Sequence, residues 1–202
     1  MKTLCMDTAH KNLIVALYEN DRMICGIARE AWKRQSEDLF PAIIECMEKA
    51  GWDSTALDEV VITDGPGSYT GVRIAMTVAK VLCTRLNIPL YAISTLQLYA
   101  GLDPNALVLM DARSRRAYVG ILEEGRFLKA PCVMTLEEIE QLAAQGDLHL
   151  YGDAQLIGRE ALPSDYLDNF IALRPCYRRV ENVHTLTPAY LKDQSAYRTG
   201  TK

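Results

Sequence analysis

The sequence predicts an α/β protein made of two related halves, each with a mixed sheet. Two observations carry this. Leu4-Cys5-Met6-Asp7 lies over Val108-Leu109-Met110-Asp111 at a constant offset of 104 residues, and without a gap Val15 falls on Val119, Leu17 on Ile121 and Glu19 on Glu123. After three short apolar runs, both halves then change to segments with helical periodicity.

In order, the first half reads as strands at Thr3–Met6, Leu13–Tyr18 and Met23–Ala31, then a helix over Ser36–Ala50. Ser36 suits its N-cap and Gly51 its stop, while Pro41 predicts a late start or a kink. Glu59–Thr63 reads as a buried strand, a glycine loop follows, and a second helix is expected from about Thr70 to Leu86, ended by Pro89. Leu90–Ile93 is a further strand, and Ser94-Thr95-Leu96-Gln97 is a capping box. The second half predicts strands at Ala106–Met110, Ala117–Leu122 and Arg126–Val133, a helix capped by Thr135 and Glu138, and a strand at His149–Tyr151. Thr187-Pro188 predicts the start of a last helix, expected over 187–198 and packing back on the first half. The expected division is 1–103 and 104–186, with a tight joint near Asp103-Pro104 because no Ser/Gly-rich linker intervenes.

Hydrophobic residues are 49% and charged residues 24%, an ordinary globular balance that argues against disorder. The net charge of −4 gives no overall attraction to phosphate, so RNA contact is expected to be local or to belong to a partner. No apolar run approaches the ~20 residues that span a bilayer, no signal-peptide core opens the chain, and the six cysteines form no Cys-x-x-Cys. A cytoplasmic protein with reduced cysteines and no membrane partner is the expectation.

The densest motif is Asp64-Gly65-Pro66-Gly67-Ser68-Tyr69-Thr70-Gly71-Val72-Arg73. Such a turn between strand and helix can offer backbone N–H groups to an anion, or it can let the helix approach the sheet closely. It matches neither the P-loop nor the dinucleotide pattern. Asp7-Thr8 ends the first strand, where an acidic residue could hold a hydrated metal or simply form the turn. Arg113, Arg115 and Arg116 form a small basic cluster in the equivalent second turn. His10, His149 and His184 make no His-x-x-x-His, no Gly-x-Ser-x-Gly occurs, and no catalytic set is evident. Two helices read either as sheet cover or as partner surfaces. One carries Leu39, Ile43, Cys46 and Met47; the other carries Val72, Ala75, Met76, Ala79 and Cys83 behind a low face. Phe40, Ile44, Val78 and Val81 add apolar residues on further sides, more than one buried stripe requires.

At Gly65-Pro66-Gly67-Ser68-Tyr69-Thr70-Gly71-Val72-Arg73 the chain resembles the TsaB (YeaZ) family, and Met6-Asp7-Thr8-Ala9, the segment Ser36 to Ile43, Ile93-Ser94-Thr95-Leu96 and Thr187-Pro188-Ala189-Tyr190-Leu191-Lys192 support the resemblance. The resemblance implies an actin-like ASKHA (ribonuclease H-like) fold of two duplicated βββαβα-type domains. It further implies a non-catalytic subunit that binds a TsaD-type metalloenzyme through the two N-terminal helices, at Leu39–Ala50 and Val72–Cys83. The partner transfers a threonylcarbamoyl group to the tRNA adenosine beside the anticodon. A TsaE-type ATPase joins the complex, tRNA is held mainly by the complex, and a homodimer is expected when the partner is missing. No cofactor belongs to the subunit itself; ATP or ADP with Mg is expected at the complex interface. Gln35 stands where many relatives have His, Ala75 where glycine is frequent, and Lys192 in place of Arg. The other reading is an ATP-dependent phosphotransferase or ATPase of the actin-like superfamily, with Asp7 near metal and the glycine loop near phosphate.

Overall fold

A computed structural model describes residues 1–191 of the chain. Its first half holds β1 (Lys2–Asp7), β2 (Asn12–Glu19), β3 (Arg22–Glu30), α1 (Gln35–Ala50), β4 (Glu59–Thr63), α2 (Tyr69–Leu86), β5 (Leu90–Ile93) and α3 (Thr95–Ala100). The second half adds β6 (Ala106–Asp111), β7 (Arg116–Glu123), β8 (Arg126–Phe127), β9 (Cys132–Thr135), α4 (Leu136–Ala144), β10 (His149–Gly152), α5 (Tyr166–Ala172) and β11 (Arg178–Arg179). The 104-residue offset carries β1 onto β6 and β2 onto β7 end to end. The duplication is therefore one of structure as well as of letters.

The first sheet runs β11-β5-β4-β1-β2-β3, with β1, β4 and β5 parallel and β2 antiparallel to both its neighbours. The core order is thus 3-2-1-4-5. The two-residue alternation of β1 splits its side chains between two cores. Leu4 and Met6 face α1 and α2, whereas Cys5 faces Leu98 of α3 and Phe170 of α5. The second sheet runs β10-β6-β7-β8, with β9 also paired to β7 and β10 parallel to β6. On one face α4 contributes Ile139 and Ala143; on the other, α3 contributes Leu96, Tyr99 and Ala100. One six-residue helix thus serves as the joint between the sheets. Ser94 and Gln97 cap it reciprocally, and the Gln97 amide also donates to the Gly125 carbonyl in the second half.

Four expectations are corrected. Pro41 neither delays nor ends α1, which runs continuously from Gln35 with Pro41 on its exposed side, so the missing N–H costs one rung and no core contact. The single strand expected at Arg126–Val133 is split into β8 and β9, with Pro131, unable to donate to a ladder, between them. The second half stops after β10 at a 3-10 turn (Ala154–Ile157) and does not complete the βββαβα pattern. The chain then returns to the first sheet: Phe170 and Leu173 pack on it, and Arg178–Arg179 pairs with β5. Lastly, Thr187–Leu191 is not helical, and residues 192–198 lie outside the described residues. Tertiary bonds override the local helix signal there. Lys80 donates to the carbonyls of His184 and Leu186, and the Ala189 N–H donates to the Asp64 carbonyl.

Phe170 is fully buried against the first sheet. Phe170→Ala should lower stability by about 3–5 kcal/mol, read from the urea midpoint at unchanged m-value.

Candidate functional site

The glycine loop is stitched to the turn between β1 and β2. The Ser68 N–H donates to the Ala9 carbonyl (2.7 Å), the Thr8 hydroxyl donates to the Gly71 carbonyl (2.6 Å), and the Ala75 N–H donates to that same hydroxyl oxygen (3.1 Å). A Cβ at Gly67 would strike the Ala9 carbonyl oxygen and one at Gly71 that of Thr8, so both glycines are required by close backbone approach. Gly65 adopts φ of +112° beside the buried Pro66. Ser68 caps α2 by accepting the Gly71 N–H, and Arg73 donates to the Tyr69 hydroxyl, with Tyr69 and Thr70 exposed. Two N–H groups that an anion would need, those of Ser68 and Gly71, are already bonded within the protein.

Asp7 and Thr8, expected near a nucleotide or metal cleft, are fully buried beneath this loop. One Asp7 oxygen accepts from the Thr63 hydroxyl and the Ala9 N–H; the other has no hydrogen-bond partner. Burial pushes the Asp7 carboxyl above its ordinary range, outweighing these bonds. The close packing that the glycines permit is what removes both residues from the cleft.

The cleft itself, about 500 Å³, lies between the glycine loop, the β1–β2 turn and the second half. His10, Lys11, Trp32, Asp111, Arg113 and Asp153 line it. Asp153 is its organising charge, accepting from His10 (2.8 Å), Lys11 (2.7 Å), Gln155 and the Asp111 N–H. Burial pushes this carboxyl up, but the bonds from His10 and Lys11 outweigh it and hold it well below the usual carboxylate range. His10 reaches back from the same turn to the Tyr99 hydroxyl (3.0 Å), so the cluster pins the first half, α3 and the second half together. Sequence reading missed Asp153. It stands 142 residues from Lys11, and the one local signal is a strand ending in Gly-Asp. The basic turn divides: Arg113 faces the cleft, Arg115 pairs with Glu137 at 2.6 Å, and Arg116 begins β7.

The expected interface residues are corrected as well. Leu39, Ile43, Cys46, Met47, Val72, Ala75, Met76, Ala79 and Cys83 all belong to the core under α1 and α2. A low, small-residue face packs best against the pleated sheet, and here the sheet takes it. The outer face is a different stripe. Phe40 and Ile44, one turn apart on α1, are 57% and 54% exposed, and Val81 on α2 is 64% exposed. Between the helices runs an apolar groove of about 380 Å³ lined by Phe40, Tyr69, Arg73, Ile74, Thr77 and Val78. Tyr190 stacks on Tyr69 at its end, 5.6 Å between ring centres.

Two outcomes follow from the loop. Gly71→Ala should cost about 3 kcal/mol in chemical denaturation, since rigid backbone must move to admit the methyl. Asp7→Asn should gain thermal stability over the parent as pH rises from 4 to 8. The raised carboxyl favours folding only while protonated, and that contribution is lost as pH climbs through its folded value.

Comparison with known proteins fits this architecture. The family model TsaD, tRNA N6-adenosine threonylcarbamoyltransferase, matches residues 26–168, most of the chain. The tRNA threonylcarbamoyladenosine biosynthesis protein TsaB of Bacillus subtilis (strain 168) is 34% identical over 127 residues, 61% of this chain and 56% of that protein. TsaB of Escherichia coli (strain K12) is 29% identical over 100 residues, covering 50% and 43%. The matched part spans about half the length of these curated relatives. Among solved structures, YeaZ from Pseudomonas aeruginosa superposes with a TM-score of 0.77 at 23% identity over 94% of this chain and 99% of that one. A second structure, described as an uncharacterized protein with similarity to peptidase YeaZ from the same organism, gives 0.78 at 23% identity over 95% and 99%. At that identity both speak for the fold alone. By the family match and its curated relatives, the chain belongs to the TsaB (YeaZ) family.

Proposed function

We propose that the chain is an interaction subunit of tRNA N6-threonylcarbamoylation, which binds and activates a TsaD-type enzyme through the outward faces of α1 and α2 and performs no chemistry itself. The observation that carries this reading is the exposed stripe Phe40, Ile44, Tyr69 and Val81 beside the groove. A monomer gains nothing by leaving large apolar side chains in water on adjacent helices, and a facing pair of helices would cover them. The burial of Asp7, which the phosphotransferase reading places near metal, and of Thr8 beside it supports a subunit without its own reaction. The names of the relatives support the pathway, and a TsaD-type partner is consistent with them.

The same reading takes in a TsaE-type ATPase, tRNA held mainly by the complex, a cytoplasmic location, and a homodimer through the same stripe when the partner is missing. None of the described helices is long and apolar enough to cross a membrane. ATP or ADP with Mg at the complex interface would draw on the cleft. Lys11 and Arg113 suit phosphate there, and Asp111, not Asp7, is the exposed carboxylate that could meet the metal.

Ile44→Asp combined with Val81→Asp places charge on the exposed stripe without entering the core. Affinity for the purified TsaD-type subunit should fall about 100-fold or more, with the melting temperature held. Full-strength binding would remove the interface assignment. The purified chain with Mg²⁺ and ATP should show no turnover above background; turnover abolished by Asp7→Ala would instead favour the phosphotransferase. Ala79, fully buried on the inner face of α2, is unsuited to this test because a charge there attacks the fold itself.

A further inference from the structure

Cys25 lies on β3, the edge strand of the first sheet, and Cys46 on the inward face of α1. Their sulfurs are 3.0 Å apart, the Cys25 thiol donating to Cys46, although the residues are 21 apart in sequence. All six cysteines are free, and this pair is joined sulfur to sulfur. The thiols of Cys83 and Cys176 instead donate to carbonyls, those of Pro89 and Gly125. Cys46 is fully enclosed, whereas Cys25 keeps 8% exposure at the rim of the core, next to the exposed Met23 and Ile24. One thiol thus sits at the rim of the core and the second lies directly behind it. That is the arrangement of an attacking and a resolving thiol.

We propose that Cys25 and Cys46 are an oxidisable thiol pair, converted by a low-molecular-weight disulfide into an intramolecular bond that ties the edge strand β3 to α1. In the first step Cys25 gives up its proton and its thiolate attacks one sulfur of the small disulfide. That S–S bond breaks, and one small thiol leaves, taking up a proton. Cys46 then loses its proton and attacks the Cys25 sulfur of the mixed disulfide, expelling the second small thiol. Two cysteine thiols are oxidised and one small disulfide is reduced to two thiols, with the two protons carried by the leaving groups. Burial, followed by the bond from Cys25, pushes the Cys46 thiol up, so the second step is slow near neutral pH and quickens as pH rises. The bond would close the segment that carries the Trp32 turn and the first turns of α1. It would leave Phe40 and Ile44 outward, so it is independent of the proposed docking role.

The full chain, equilibrated under native conditions with oxidised glutathione at pH 8, is alkylated, digested and mapped by mass spectrometry. Expected are four alkylated cysteines, one peptide linking Cys25 to Cys46, and a melting temperature about 5 °C higher that reverts with reductant. Cys25→Ala, at the rim of the core, should abolish both the link and the shift while the reduced protein stays folded. Six alkylated cysteines would overturn the proposal. So would a stable glutathione adduct on Cys25 with Cys46 free, or a link between other cysteines.

Discussion

The bond from the Thr8 hydroxyl to the Gly71 carbonyl, with the Ala75 N–H returning to the same oxygen, is the contact on which the rest of the molecule depends. It fixes the start of α2 against the end of β1, and it forms only because Gly67 and Gly71 have no side chain to hold the backbones apart. The protein closes the space over Asp7 with its own main chain. The consequence for Asp7 is electrostatic: a carboxyl sealed beneath the loop, with one oxygen unpartnered, is held toward its neutral form.

Around that contact the two halves are joined by apolar and polar means. Helix α3 divides its side chains between the sheets, Leu98 to the first and Leu96 and Tyr99 to the second. At the mouth of the cleft, Asp153 gathers His10 and Lys11 from the opposite half. A buried carboxylate is costly unless fully bonded, and this one accepts four hydrogen bonds. Cleft geometry and the packing of the loop are therefore coupled through one short turn, Thr8 to Lys11.

Helices α1 and α2 show how periodicity can single out apolar residues without saying which way they face. Small and medium residues at Ala75, Ala79 and Cys83 present a flat surface, which reads equally as a partner face or as the underside of a helix lying on a sheet. The first sheet needed that flat side. The bulky residues left over, Phe40, Ile44 and Val81, became the outer stripe. Their excess was visible in the sequence, but the side on which they lie was not, because helical spacing gives relative angles and no absolute orientation.

By itself the sequence determined the duplication, the order of nearly every element in the first half, and the caps of α3 and α4. Each of these rests on neighbours within a few residues or on a repeat of constant offset. The chain also displayed the glycine motif, without deciding between an anion cradle and a close approach. Only the tertiary structure decided that Asp7 and Thr8 are sealed, that Asp153 anchors the cleft, that 166–180 returns to the first sheet, and that Thr187–Leu191 is drawn out along α2 instead of coiling. These outcomes depend on partners tens to more than a hundred residues away, and local propensity, worth about a kilocalorie per mole per residue or less, yields to such contacts.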